Sequence, residues 1–396
     1  MTLFDGKAVV SGVGQSQIGR NLGRSGLELT AEACLRAIED AGLRPEDIDG
    51  LSTYPGAGST DPGFVGGGAY EVLDALGLEV DWFCGTWETP GQFGPVINAC
   101  SVVAGGIARH VLVFRTVTES TAQQGRGRRA VVPGGAFGTR ISQRHWSEWI
   151  GPYGGYPPNL VAMRAQLYMH SYGLTSAQMA WVALNDRRHA QLNPNAIFRT
   201  PMTMDDYFSS RMITTPFRLF DCDVPCDGST AVVISHRDTA PDLRRPPVRV
   251  ESAGCSMRGR AAKAHFVVGQ SSLHNSGDFM WSHTDLRPAD VDVAELYDGF
   301  SMLTLLWLEA LGFCEIGEAG PFVEGGKRIG LDGDLPLNTQ GGQLSAGRLH
   351  GLGFLHEACT QLWHRAGDRQ VPGAPKIAVA SAGGETFSGC LLLVAD

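Results

Sequence analysis

The sequence predicts an α/β fold made of two similar halves, and three observations lead to this prediction. The phrase Leu-Arg-Pro-Glu-Asp-Ile-Asp at residues 43–49 returns as Leu-Arg-Pro-Ala-Asp-Val-Asp at residues 286–292, with five of seven positions identical. Each copy leads into a short apolar stretch, as the same point of a repeated unit would. Hydrophobic residues make up 43% of the chain and glycine contributes 52 of 396 residues, which suits a large core with many tight turns.

The first half opens with a strand and a helix. Residues 8–10 are apolar and lead into a glycine turn at residues 12–14. From residue 29 to residue 41 small and apolar side chains recur at fourfold spacing, as on the buried face of a helix, and Gly42 then ends that helix. The turn at 12–14 is only a fragment of a dinucleotide fingerprint, so it does not predict NAD binding.

Later elements repeat this plan. Residues 95–107 predict a helix of small residues, and the apolar run 111–114 predicts a strand buried on both faces. The second half matches with a predicted helix at 351–363 and a predicted strand at 377–380, which ends in a glycine pair.

These elements divide the chain. We predict a first half over residues 1–121 and 221–248 and a second half over residues 249–396. Residues 122–220 lie between them and are too long for a connecting loop. This insertion is predicted to fold as a subdomain of loops and helices that covers the substrate.

Charge and composition exclude several classes of protein. The net charge of −9 argues against a nucleic-acid partner. Nine scattered cysteines do not form a disulfide framework and suit a reducing cytoplasm, and no signal peptide is expected at the N-terminus. The longest apolar stretch, residues 302–313, is interrupted by Glu309 and is too short to span a membrane. We therefore expect a cytoplasmic protein without a membrane span.

Five segments carry motifs of a known family. These are the opening strand and turn at 8–16, the segments at 185–190 and 221–228, Glu-Leu-Tyr-Asp-Gly-Phe at 295–300, and Asn-Thr-Gln-Gly-Gly-Gln-Leu-Ser at 338–345. The last two are similar to an E-x-H-D-x-F box and an N-x-x-G-G-x-x-S turn. Together they resemble the thiolase superfamily, in its sterol-carrier-type branch, over nearly the whole chain. This resemblance implies a five-layered αβαβα body, a homodimer and an acyl-CoA substrate.

Three positions depart from the family's catalytic pattern. A condensing thiolase has a cysteine nucleophile where this chain has Thr89, and threonine is a far poorer nucleophile without an adjacent base. The family's two catalytic histidines are replaced by Tyr297 and Arg348, while His350 lies two residues further on. Three changes together predict a different reaction on a retained acyl-CoA site.

A retro-aldol cleavage uses the groups that remain. Backbone donors of the fold would stabilise an enolate, and the Tyr297 phenol can transfer a proton if a neighbouring cation lowers its pKa from about 10. Residues 311–314, 325–328 and 342–348 resemble the bacterial steroid side-chain-cleaving aldolases. The resemblance implies cleavage of a 17-hydroxy steroid side-chain CoA thioester to a 17-keto steroid and propionyl-CoA.

The site residues are assigned on this basis. Tyr297 is predicted to be catalytic, and Arg348 is predicted to stabilise charge. The resemblance to the aldolase branch implies a second active-site tyrosine, but no tyrosine follows Tyr297 in this chain. His350 is therefore predicted to take the role of that second tyrosine. Substrate-binding roles are expected for Thr89, Asn338, Gly342 and Gly384. Asp298 either orients a catalytic neighbour or caps the helix that begins at Ser301, and the cap is the predicted role.

No cofactor and no metal is expected. Coenzyme A is part of the substrate, and Cys222 and Cys226 have no further ligands at zinc spacing. The basic patch at 125–129 is compatible with coenzyme A phosphates, with a solvated loop or with a partner contact. The resemblance also implies a small OB-fold partner protein that helps to bind the acyl-CoA and completes a heterotetramer.

Two other functions stay open at this point. One is a thiolase, an acetyl-CoA acyltransferase, with a relocated cysteine; Cys84 and Cys100 flank Thr89, although neither is in register and buried structural cysteines are more common. The other is a non-catalytic carrier of acyl-CoA or lipid, which would also explain the lost cysteine and histidines.

Overall fold

Nine strands form one continuous mixed sheet in a computed structural model that describes residues 3–56, 63–85, 91–124, 157–257 and 271–395. The first half contributes β1 (Ala8–Gln15), β2 (Gly50–Thr53), β3 (Trp82–Gly85), β4 (His110–Thr118) and β7 (Asp227–His236). The second half contributes β8 (Val248–Met257), β9 (Val293–Glu295), β10 (Ile377–Gly383) and β11 (Phe387–Ala395). The order is β3-β2-β4-β7-β1-β8-β11-β10-β9.

The two halves share one topology, which confirms the predicted duplication. In the first half β2 and β4 are parallel, and β4, β7 and β1 follow as antiparallel neighbours. In the second half β9 and β10 are parallel, and β10, β11 and β8 follow as antiparallel neighbours. A short antiparallel pairing of β1 with β8 joins the halves.

The repeated phrase occupies the same place in each half. In both copies it forms a turn of 3₁₀ helix, over Pro45–Asp47 and Pro288–Asp290. The last aspartate of each copy then binds the start of a central strand: the Asp49 backbone N–H donates to His110 O at 3.2 Å, and that of Asp292 donates to Ile377 O at 2.9 Å. The identity of the two phrases therefore reflects equivalent tertiary contacts.

Helices complete five layers. They are α1 (Gly26–Ala41), α2 (Ala69–Leu76), α3 (Gly94–Ala104), α4 (Glu119–Ala122), α5 (Pro157–Tyr172), α6 (Ser176–Leu192), α7 (Met204–Ser209), α8 (Ser272–Trp281), α9 (Ser301–Ala310), α10 (Ala319–Val323) and α11 (Gly351–Leu362). The outer layers are α1 with α2 on the first half and α8 with α9 on the second. Between the two halves of the sheet lie α3 and α11, and α11 contacts both β7 and β10.

Glycines at equivalent positions allow the outer helices to pack closely on the sheet. A Cβ on Gly14 of β1 would lie 2.4 Å from Ala33 O of α1, and a Cβ on Gly254 of β8 would lie 1.8 Å from Ser276 O of α8. The glycines of residues 12–14 thus serve helix packing in this fold.

The region predicted as an insertion contains α5, α6, α7 and a hairpin of β5 (Met212–Thr214) with β6 (Phe217–Arg218). It packs on the second half through buried polar contacts. Arg164 Nε lies 2.6 Å from Glu385 Oε1, and Arg187 Nε donates to Ser345 Oγ at 2.9 Å. Its role as a substrate cover stays a prediction. Among the helices of the described residues, none has the length and apolar character to cross a membrane.

Candidate active site

Tyr297 lies just beyond the end of β9, where the second half faces the first. Its backbone N–H donates to Ser381 Oγ of β10 at 2.9 Å, and its ring meets Phe354 of α11 edge-on with centroids 6.1 Å apart. Only 8% of the residue is exposed. These contacts hold the phenol in one orientation at the junction of two layers.

Burial decides the protonation of this phenol. It raises the pKa of Tyr297 to about 12, although the nearby Arg348 guanidinium acts in the opposite direction. From the sequence, a neighbouring cation was expected to bring the pKa of Tyr297 below about 10. The net shift is upward, so this expectation is wrong. A phenol with this pKa is protonated at neutral pH, and it is suited to donating a proton rather than accepting one.

Arg348 is largely buried, with 12% of its side chain exposed, and forms ion pairs with two carboxylates. Its Nε lies 3.1 Å from Asp223 Oδ2 and its Nη1 lies 3.3 Å from Glu119 Oε2. Burial opposes the charge, but Asp223 and Glu119 outweigh it and raise the pKa of Arg348 above its ordinary value. The site thus contains a permanent positive charge next to a neutral phenol.

His350 bridges two arginines. Its Nε2 accepts from Arg348 Nε at 2.9 Å, and its Nδ1 lies 3.1 Å from Arg115 Nε and 2.8 Å from Arg115 Nη2. The residue is 1% exposed and has a positive φ of 62°. Because both ring nitrogens face guanidinium groups, the geometry favours a role in positioning the arginines. A direct catalytic role for His350 stays a prediction.

Arg115, on β4, is a site residue that sequence reasoning missed. Its Nη1 donates to Phe64 O at 2.5 Å and to Thr116 O at 2.9 Å, and its guanidinium lies over the Phe64 and Tyr54 rings. Burial lowers the pKa of Arg115 to about 10. An arginine within an otherwise apolar strand could have indicated this site, because an unpaired charge is costly in a core.

Asp298 does not cap the helix that follows it, contrary to prediction. Its carboxylate accepts from the backbone N–H groups of Gln343 at 2.9 Å and Leu344 at 3.1 Å, whereas α9 begins without a side-chain cap. Burial raises the pKa of Asp298 to about 6. Burial and the neighbouring Asp298 also raise the pKa of Asp186, on α6. The two acids join the turn at 342–346 to the region predicted as an insertion.

Asn338 and Gly342 shape this turn. Asn338 is fully buried and its Oδ1 accepts from the Leu296 backbone N–H at 2.7 Å, directly before Tyr297. Gly342 has a φ of 56°, and a Cβ there would lie 2.1 Å from Asp298 Oδ2. Both residues therefore support the position of Tyr297 and its neighbours. Contact of either residue with substrate stays a prediction.

The other two predicted substrate-binding residues are placed differently. Gly384 follows β10, and its N–H donates to Phe387 O at 3.1 Å while its carbonyl accepts from Ser272 Oγ at 2.9 Å. Its N–H is therefore occupied within the turn. Thr89 and the basic patch at 125–129 lie outside the described residues.

A cavity of about 750 Å³ opens beside the ion pairs. Its apolar lining includes Phe198, Met212, Ile213, Leu219, Phe220 and Leu344, and Asp223 also lines it. Asp223 thus borders the cavity and also pairs with Arg348. Its volume lies in the range of sites for drug-sized ligands.

The cysteines of the described residues include no activated nucleophile within α3. Cys100 is fully buried there, and burial raises its pKa, which is the opposite of what a reactive thiol requires. Cys84 lies on β3, where its Sγ is 3.9 Å from Asn98 Nδ2. Among the described residues, no group of three or more His, Cys, Asp and Glu side chains could hold a metal ion.

Comparison with known proteins identifies the family of this chain. The thiolase C-terminal domain-like family model matches residues 254–395. A 17-hydroxy-3-oxo-4-pregnene-20-carboxyl-CoA lyase of Mycobacterium tuberculosis is 35% identical over 98% of this chain and 100% of the relative. A steroid side-chain-cleaving aldolase of Thermomonospora curvata is 34% identical over 100% of both chains.

A solved structure has the same architecture. The Ltp2-ChsH2(DUF35) aldolase superposes with a TM-score of 0.86 and 32% identity, over 99% of this chain and 98% of that chain. The predicted resemblance is confirmed along essentially the full length. This chain belongs to the thiolase superfamily, in the branch that includes the bacterial steroid side-chain-cleaving aldolases.

Proposed function

We propose that this protein is an acyl-CoA retro-aldolase, a carbon-carbon lyase that cleaves the Cα–Cβ bond of a β-hydroxyacyl-CoA. Its substrate is a 17-hydroxy steroid with a CoA-thioester side chain, the class for which its relative from Mycobacterium tuberculosis is named. One observation carries the proposal: the buried, neutral phenol of Tyr297 interacts with the largely buried guanidinium of Arg348, and the resemblance assigns both residues to the positions of the family's catalytic histidines.

These two groups match the demands of the cleavage. When the Cα–Cβ bond breaks, negative charge develops on an oxygen, and the resulting enolate carbon must take up a proton. The permanent charge of Arg348 stabilises the developing oxyanion in a buried setting. The Tyr297 phenol supplies the proton. The products are a 17-keto steroid and propionyl-CoA, and no cofactor is required besides the coenzyme A of the substrate.

The 750 Å³ cavity suits the acyl part of such a substrate. Its apolar side chains come largely from the region between β4 and β7, including Phe198, Met212 and Phe220, and Asp223 connects it to Arg348. We infer that the steroid rings occupy this cavity and that the reacting carbon atoms lie near Tyr297.

The two alternative functions receive less support. A thiolase would require an activated thiol, whereas burial raises the pKa of Cys100. A carrier would have no use for the cluster of Arg115 and His350, which are buried, and Arg348, which is largely buried, because the burial of charged groups costs free energy and such clusters occur most often at functional sites.

We also propose a homodimer and a small OB-fold partner that together form a heterotetramer. β3 is the edge strand of the first half, and its Phe83 is 69% exposed, so this edge is suited to pairing with a second copy. The similar solved structure is a complex named for two components, Ltp2 and ChsH2. The nine cysteines are all free, which supports a reducing, cytoplasmic location.

The test is product analysis with a 17-hydroxy steroid side-chain CoA thioester. The purified chain, alone and with an OB-fold partner of the ChsH2 type, is incubated with this substrate and followed by mass spectrometry. We expect a 17-keto steroid and propionyl-CoA in equal amounts. Acyl transfer to free CoA that is abolished by thiol alkylation would instead support a thiolase, and tight binding without any turnover would support a carrier.

A further inference from the structure

The proposed reaction needs a proton acceptor as well as a proton donor. Tyr297 is protonated at neutral pH because burial raises its pKa to about 12, so it does not readily remove the substrate's hydroxyl proton. His350, predicted for this second role, has both ring nitrogens facing Arg115 and Arg348. Another side chain must therefore accept the hydroxyl proton of the substrate. This inference rests on the proposed function.

Two carboxylates flank Arg348, and only one of them borders the large cavity. Asp223 lies 3.1 Å from Arg348 Nε, and it is the single acidic side chain among the described residues that line the cavity. Glu119 pairs with the opposite side of the guanidinium, at 3.3 Å from Nη1, and is not among those lining residues.

Asp223 is also tied to the segment that carries Tyr297. Its backbone N–H donates to Gly299 O at 3.3 Å, two residues beyond Tyr297. Asp223 is buried, and its charge acts on the Tyr297 phenol. Asp223 thus borders the cavity, pairs with the Arg348 guanidinium and acts on the Tyr297 phenol, a combination that suits a proton acceptor for a ligand in this cavity.

We propose that Asp223 is the general base that accepts the proton from the β-hydroxyl group of the substrate. As the O–H bond breaks, its electron pair forms the ketone C=O, and the electrons of the Cα–Cβ bond move into the thioester enolate. The enolate carbon takes the Tyr297 proton. The proton on Asp223 then returns to the Tyr297 phenolate through solvent, so both groups regain their starting states and no other reactant is consumed.

The test separates removal of the hydroxyl proton by Asp223 from formation and protonation of the enolate. Wild type, Asp223→Asn, Glu119→Gln and Tyr297→Phe are compared in steroid cleavage and in exchange of the α-hydrogens of propionyl-CoA with D₂O. Exchange forms the same enolate but involves no hydroxyl group. Glu119→Gln is the matched control, because it removes the other carboxylate from the same guanidinium.

We expect Asp223→Asn to lower cleavage by about 10²-fold or more while exchange stays within about tenfold of wild type. Tyr297→Phe loses both activities, and Glu119→Gln lowers cleavage by less than about tenfold. Retained cleavage in Asp223→Asn would overturn the proposal. Equal losses of cleavage and exchange would also overturn it, since Asp223 would then act by positioning Arg348.

A second variant keeps the assignment falsifiable if Asp223→Asn folds poorly. His350→Gln is assayed in the same way, and loss of its cleavage with exchange retained would transfer the acceptor role to His350. Failure of the proposed function is distinguishable, because the wild-type chain with its partner would then release no ketone at all.

Discussion

The two halves of this molecule have the same frame and contribute different chemistry. Tyr54 and Tyr297 each stand five residues after the aspartate that ends the repeated phrase. The Tyr54 ring lies 5.5 Å from the Arg115 guanidinium, whereas Arg348 is the cation that acts on the Tyr297 phenol. Equivalent positions thus have the same side chain in different settings.

The central strands differ more strongly. Val111 of β4 and Ala378 of β10 are equivalent, because each pairs with the first residue of a matching parallel strand. Four residues further on, the first half has Arg115 and the second has Ala382. The duplication supplied two copies of a scaffold, and one candidate site combines residues of both: Arg115 and Asp223 from the first half with Tyr297, Arg348 and His350 from the second.

The largest expected effect separates the two tyrosines. Tyr297→Phe should lower steroid cleavage by about 10²- to 10⁴-fold, because it removes the proton donor, while Tyr54→Phe should cost less than about tenfold. Steady-state rates of ketone release measure both variants. Equal losses would mean that the halves contribute two equivalent phenols.

Substitutions at the contact between the sheet and its outer helix, in contrast, should destabilise both halves equally. Gly14→Ala and Gly254→Ala should each lower the free energy of unfolding by about 3 kcal/mol, since each new Cβ collides with a helix carbonyl. Gly173→Ala is the control: its φ is 73°, but no atom lies within 4 Å of the new Cβ, so about 1 kcal/mol is expected. Urea unfolding compares the three. Very different losses of unfolding free energy for Gly14→Ala and Gly254→Ala would contradict the equivalence of the two helix contacts.

Arg115→Met tests the contact between the halves at His350. It removes the donors to His350 Nδ1, so the His350 and Arg348 side chains lose their fixed position. We expect kcat to fall by about 10²-fold with a smaller change in KM. The ¹⁵N chemical shifts of the His350 ring should change as well. An unchanged kcat would show that Arg348 is positioned without the first half.

The smallest effect concerns Asp298, which lies in the second half only. Its pKa in the folded state is raised to about 6 from an ordinary value of 3.8, so protonation favours the folded state. This stabilisation is complete below about pH 4 and is lost as the pH rises through 6. The Asp298→Asn variant lacks this pH-dependent stabilisation, because its amide does not titrate.

The stability of wild type relative to Asp298→Asn should therefore increase as the pH falls from 7 to 4. The change should be no more than about 2 kcal/mol, because Asp186 shares the proton. Thermal unfolding of both proteins across this pH range measures the difference. A constant difference would contradict a raised Asp298 pKa.

The amino-acid sequence by itself determined the frame of this protein. The similar phrases at 43–49 and 286–292 were sufficient to identify the duplication, because the same local turn and strand recur in each half. The spacing of small residues placed the first helix, and Gly42 ends it in the left-handed conformation with a φ of 81°. The replacement of two catalytic histidines by Tyr297 and Arg348 was also visible, since it depends only on alignment with a motif.

Only the tertiary structure decided how these residues work together. Arg115 and His350 are separated by 235 positions in the chain and meet because the two halves of the sheet pack around one central helical layer, which no local pattern encodes. The pKa of Tyr297 rises rather than falls because burial outweighs a neighbouring cation. Asp298 binds the backbone of a distant turn rather than the helix beside it. Burial and long-range contact therefore determined the chemistry of side chains whose positions the sequence had already indicated.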